Sequence, residues 1–182
     1  MIPIEEFKKN FPPDVEVPEL LLRLLEYQNQ VEDWFSGYFE FANFEHKGLI
    51  AWFDDEVAAS QFIQFGHNAD GSLYCFWLYD GRSIDSAPIV FLGSEGQDNA
   101  VLANNLREFF ALLTEGYEEL GFPYGRLEKL ETEANLKFRE WLQKEFAITP
   151  PVDAEKLIAD AQAAHPNLEK WIEDWQEAHY AK

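Results

Sequence analysis

Leu73-Tyr74-Cys75-Phe76-Trp77-Leu78-Tyr79 is a run of seven residues with no charge and no alternating polar position. A strand with one wet face alternates, so an unbroken apolar run of this length reads as a strand covered on both faces and central in its sheet. Pro88-Ile89-Val90-Phe91-Leu92-Gly93 reads the same way and is the expected neighbour. Upstream, Gln61 to Phe65 is a second strand, joined to the first through His67-Asn68-Ala69-Asp70-Gly71, whose Asp-Gly pair suits the positive φ angles of a tight hairpin. Tyr38 to Phe44 is a further aromatic run, and these segments are expected to pair antiparallel. Helices must then cover the sheet.

Leu20, Leu21, Leu24, Leu25, Gln28, Val31 and Trp34 or Phe35 recur at helical spacing, which predicts a helix over 18–35 with Gly37 as its left-handed cap. Asn105-Leu106-Arg107-Glu108 has capping-box spacing ahead of the stripe Leu106, Phe109, Phe110, Leu113, and predicts a helix over 105–115. Val101-Leu102-Ala103 reads as a short strand before it or as an extra helical turn, the strand being preferred. Beyond Gly116 the pattern is helical: 133–146, 153–164 capped by Asp153, and 166–180 carrying Leu168, Trp171, Ile172 and Trp175, with at most a brief strand near Phe122. Strands first and helices afterwards define an α+β fold, a twisted mixed or antiparallel β-sheet wrapped by helices. The expected organisation is one domain: a core over 1–116 and a helical extension over 117–182 packed on the same core.

A chain of 182 residues that is 47% hydrophobic, with 16 Phe, 7 Tyr and 6 Trp, has apolar area enough for a real core. It contains no run of 18 apolar residues, its first residues lack a basic leader with a hydrophobic stretch, and its single cysteine forms no internal disulfide. A cytoplasmic location follows as the expectation. The formal net charge is −20, with 20 acidic and 6 basic residues over 1–116. A field of that sign repels phosphate backbones and anionic lipid headgroups and attracts basic surfaces, so a nucleic acid or membrane partner is not expected and a basic protein partner is.

Reactive chemistry is thinly represented. The four histidines show no metal-binding spacing, there is no phosphate-cradling glycine motif, and Cys75 lies in the most apolar run of the chain, where packing outweighs nucleophilic use. Ser94, in Gly93-Ser94-Glu95-Gly96, lacks the elbow pattern of a hydrolase and reads as a turn. No catalytic residue, cofactor or metal is assigned, and the chain is not expected to be an enzyme. The triplet Asp54-Asp55-Glu56 reads either as a helix start with Asp54 as cap or as an acidic ridge. Asp80 and Asp85 flank a loop between two central strands, where binding loops are carried.

The stretch from Gln64 to Glu115 carries a resemblance: Phe65-Gly66, Asp70-Gly71-Ser72-Leu73-Tyr74-Cys75-Phe76, Ala87-Pro88-Ile89-Val90-Phe91-Leu92-Gly93-Ser94-Glu95-Gly96, and Ala103-Asn104-Asn105-Leu106-Arg107-Glu108-Phe109-Phe110-Ala111-Leu112-Leu113. It resembles the SUKH superfamily, in its Smi/Knr-like branch, which groups bacterial immunity proteins with the yeast cell-wall-synthesis regulator. Asn105 stands where the family usually has Ser or Thr, and the helical tail exceeds the usual family length. The resemblance implies an α+β fold and protein binding, in many members as an antidote to a toxin domain, often a nuclease. It carries over no site residues.

Together these readings predict an acidic protein-binding domain, an immunity-type protein neutralising a partner toxin or a regulatory interaction protein, monomeric or weakly homodimeric. Asp54, Asp55, Glu56, Asp80, Asp85, Glu95 and Asp98 are the expected partner contacts. The alternative is a small-ligand-binding or hydrolytic domain with a carboxylate-lined cleft at the sheet end, lined by Tyr79, Asp80 and Asp85.

Overall fold

The computed structural model describes residues 1–41, 47–118, 120, 129 and 131–180. Its centre is a five-stranded sheet in sequence order: β1 (Glu40–Phe41), β2 (Phe62–His67), β3 (Leu73–Trp77), β4 (Ile89–Leu92) and β5 (Ala100–Ala103). Every pairing is antiparallel, so the sheet is a meander and contains no parallel crossover. The helices are α1 (Ile4–Phe7), α2 (Glu19–Gln28), α3 (Lys47–Phe53), α4 (Glu56–Ala59), α5 (Leu106–Leu113), α6 (Glu133–Phe146), α7 (Ala154–Ala164) and α8 (Leu168–Tyr180).

β3 is buried at every residue, because its side chains alternate between two separate apolar layers. Tyr74 and Phe76 join Phe65, Ile89 and Phe91 beneath α2, α5 and α6. Leu73, Cys75 and Trp77 join Phe62, Val90, Leu92 and Val101 beneath α3, α4 and α8. The register matches side chain to side chain, Tyr74 opposite Phe91 and Cys75 opposite Val90. Burial pushes the Cys75 thiol well above its ordinary range, which leaves it as a packing residue.

The tail belongs to both layers. Phe138, Leu142 and Ala154 enter the first, while Ala161, Leu168 and Ile172 enter the second, where the Trp171 ring meets Phe62 edge-on at 5.4 Å. Arg139 of α6 donates through Nε to the Thr114 carbonyl at 2.5 Å and through Nη2 to the Glu115 carbonyl at 3.4 Å, satisfying carbonyls that α5 leaves open at its C-terminus. Buried Glu115 pairs with Lys129. α6 itself stops at a left-handed Ala147 (φ 52°), where the Ile148 amide bonds back to the Leu142 carbonyl and the Ile148 side chain is buried.

Some sequence expectations need correction. The helix predicted over 18–35 ends at Gln28, because the side chains that should continue it are bound elsewhere. The Gln28 side chain accepts from the Phe41 amide at 2.8 Å, and Asn29 both accepts from the Ile2 amide and donates to the Ile2 carbonyl. The chain turns there and Phe35 enters the core by itself. Gly37 therefore caps no helix: its φ of 48° and a direct approach to the Tyr117 carbonyl, where any Cβ would collide, are what demand glycine. β3 stops two residues short of Tyr79, which begins a 3₁₀ turn, and α3 was not anticipated at all. Of the predicted strand Tyr38 to Phe44, Glu40 and Phe41 pair, residues beyond Phe41 lie outside the described set, and so does the brief strand near Phe122. Among the described residues no helix is long and apolar enough to cross a membrane.

Candidate functional site

The antiparallel meander decides which carboxylates can act together. Asp80 and Asp85 follow the C-terminal end of β3, whereas Glu95 and Asp98 follow the C-terminal end of β4, which runs the other way. They therefore emerge at opposite ends of the sheet, separated by a strand length of roughly 15 Å. Asp54 and Asp55 lie between α3 and α4, and Glu56 opens α4.

Several of these acids have local structural duties. Asp54, Asp80 and Asp98 have φ of 48°, 56° and 57°, a left-handed conformation that Asp tolerates better than most residues. Asp55, and not Asp54, caps α4: its Oδ1 accepts from the Val57 amide at 2.7 Å and the Ala58 amide at 3.1 Å. Its other oxygen accepts from Trp175 Nε1 at 3.3 Å and faces His179 at 3.9 Å, tying α4 to α8. Those backbone hydrogen bonds, the Ala58 amide foremost, hold its carboxyl below the usual carboxylate range. A lowered acid contributes stability above its unfolded value and loses that contribution as pH falls through the folded one. Asp55→Ala is thus expected to lower the melting temperature at neutral pH, Asp55→Asn to lower it less, and the deficit of the Ala variant to shrink in acid, all readable by thermal unfolding followed by circular dichroism.

At the end of the sheet that carries Asp85 the surface opens into a groove of about 460 Å³, within the range of ligand-binding clefts. The segment Asp14-Val15-Glu16-Val17-Pro18-Glu19 lines it, together with Leu78, Arg82, Ser83, Ile84, Asp85 and Ile63 of β2. The cavities beside Trp34, beside His165 and at the start of α7 are smaller, about 200, 230 and 360 Å³. Four carboxylates, from Asp14, Glu16, Glu19 and Asp85, share the groove with aliphatic Val15, Val17, Ile63, Leu78 and Ile84. Such a lining is chemically complementary to a long cationic side chain, with an aliphatic wall for methylenes and carboxylates for the charge.

Arg82 is the one cation lining the groove, and among the described residues it makes no ion pair. Its guanidinium lies 4.4 Å from the centre of the Tyr79 ring and reaches the Ser86 carbonyl at 3.5 Å, while its Nε is buried without a partner. Tyr79 does not line the groove; it packs on Trp77 with ring centres 4.1 Å apart, and its hydroxyl meets His165 Nδ1 at 2.7 Å. His165 is buried at the C-terminus of α7. Burial, and then the Arg82 charge, push it below its ordinary value, against a smaller upward pull from Glu108.

Of the seven carboxylates expected to bind a partner, Asp85 lines this groove. Asp14, Glu16, Glu19 and Arg82 were missed, yet the alternation of acid and apolar residues in Asp14-Val15-Glu16-Val17, flanked by Pro12-Pro13 and Pro18, was a signal of an extended segment with a polar side. Among the described residues no group of three or more His, Cys, Asp or Glu is placed to hold a metal ion.

Fold and groove together define an antiparallel α+β sandwich with an acidic, aliphatic-walled cleft at one sheet end. Comparison with known proteins adds no name to that class: no family model, no curated protein and no solved structure matches the chain.

Proposed function

We propose that this protein is an acidic binding domain that docks a basic segment of another protein in the groove between residues 14–19 and the loop 78–85, as an antidote to a basic toxin domain or as a regulatory interaction protein. The observation that carries the reading is the groove lining itself, four carboxylates around an aliphatic wall with one counter-charge. The net charge of −20 supports it by steering basic surfaces toward the molecule. The resemblance to the SUKH superfamily supports the same class of role.

The test compares the chain with a double variant, Glu16→Lys with Asp85→Lys, whose two sites are exposed and outside the core. Affinity capture from the source cell at low salt should yield a basic protein with the original chain and lose it with the variant. The affinity should fall about tenfold or more on charge reversal, and should weaken steeply as salt rises past the point where the screening length drops below roughly 10 Å. Equal capture by both chains, or retention at high salt, would count against the groove. Turnover of a substrate by the isolated chain would remove the reading altogether.

A further inference from the structure

Arg82 stands among the carboxylates of the groove without pairing with any of them. Among the described residues its Nη1 reaches the Ser86 carbonyl at 3.5 Å, and Nη2 has no hydrogen bond. What holds the guanidinium is an aromatic platform. It lies 4.4 Å from the centre of the Tyr79 ring, which packs on buried Trp77 and is tied through its hydroxyl to His165 on α7. A guanidinium stacked by one face keeps its edge donors for a planar acceptor. We infer that the groove reads a chain end: Arg82 takes the α-carboxylate of a C-terminal lysine or arginine, and the groove acids take the cationic head of that same residue. The inference rests on the groove being the docking site.

A fixed positive charge works against a purely cationic occupant, whereas a ligand that carries both signs finds a partner for each. Arg82 and Asp85 belong to one loop, with a 3₁₀ turn at Ile84–Ser86, so their α-carbons are no more than about 11 Å apart. One terminal residue spans such a gap, its carboxylate at one end and its charged head at the other, beyond a stem of methylenes. Val15, Val17 and Ile84 offer that stem an aliphatic wall. An internal lysine with a glutamate beside it does not substitute, because successive side chains of an extended segment point to opposite sides. Pairing of the planar guanidinium with a carboxylate also adds direction to the contact, which an ammonium in the same place would not. The field of the whole molecule runs the other way. A net charge of −20 repels an added carboxylate, so only a local contact makes the free acid the better ligand.

Isothermal titration calorimetry at low salt and neutral pH compares acetyl-Ala-Lys-Ala-Lys as the free acid with the same peptide amidated at its C-terminus. The original chain is expected to bind the free acid about tenfold more tightly. In Arg82→Gln the two affinities should converge or change order, since the amide escapes a repulsion while the acid loses its partner. Arg82→Lys, which keeps the charge but not the planar fork, should retain part of the preference. Equal affinities for the two peptides in the original chain overturn the inference, and so does a preference that survives Arg82→Gln. Where both peptides bind equally and Glu16→Lys with Asp85→Lys abolishes both, the groove stands as a cation site and the chain-end reading alone falls. An amidated acetyl-Ala-Lys-Glu-Lys that matches the free acid overturns it as well. Binding of neither peptide removes the groove reading and the inference together.

Discussion

Replacing Ile172 by Asp is expected to abolish the cooperatively folded state or to cost at least about 4 kcal/mol of it, a large share of a typical domain stability of 5–15 kcal/mol. Ile172 is 3% exposed, on the face of α8 that closes the second apolar layer over Leu73, Cys75 and Trp77. Its neighbour Trp171 packs on Phe53, Phe62 and Trp77 at ring distances of 6.0, 5.4 and 6.4 Å, so the surroundings are aromatic. A carboxylate placed there has no counter-charge among the residues of that layer and must either stay protonated or pull α8 off the sheet. Urea unfolding and near-ultraviolet circular dichroism read the outcome, with exposed Glu173→Ala as a control that should move stability by less than about 0.5 kcal/mol. An Asp variant with an unchanged midpoint would mean that α8 is dispensable to the core.

Phe109→Ala is expected to destabilise the chain by about 3–5 kcal/mol through a cavity in the first layer. Phe109 is fully buried on α5, with the rings of Phe39, Phe65 and Tyr74 at 5.7, 5.6 and 5.6 Å. It therefore joins α5 to the segment before β1 and to β2 and β3 at once. Aromatic neighbours held by so many contacts cannot collapse into the space of a missing ring, so most of the cavity term should persist. The denaturant midpoint should drop with little change in slope, and Phe109→Leu should lose less because it leaves a smaller hole. A loss below about 1 kcal/mol would show that this layer repacks freely.

Both expectations follow from features that the residues announce. The apolar run at Leu73, the stripe Leu106, Phe109, Phe110, Leu113, the cap at Asp153 and the Trp-bearing stripe of α8 are local patterns, and each forms its predicted element, the strand from Leu73 ending at Trp77. The capping box at Asn105 closes nearly as written, with the Asn105 side chain accepting from the Glu108 amide and the Glu108 carboxylate accepting from the Asn104 amide. The failures share a cause as well. Helix α2 stops where it does because Gln28 and Asn29 bond to residues 13 and 27 positions away, and no window along the chain contains those partners.

The α+β class is legible in the residue order, since hydrophobic periodicity is a property of neighbouring positions and favours strands and helices before any long-range contact is known. The sequence also carries the net charge of −20. Which carboxylates stand together is set by the folded topology. The antiparallel meander sends Asp85 to one end of the sheet and Glu95 to the other, and brings Asp14, Glu16 and Glu19 from a segment far off in the chain to meet Asp85. Charges act through space while the chain orders them along its length, and strand direction converts one ordering into the other.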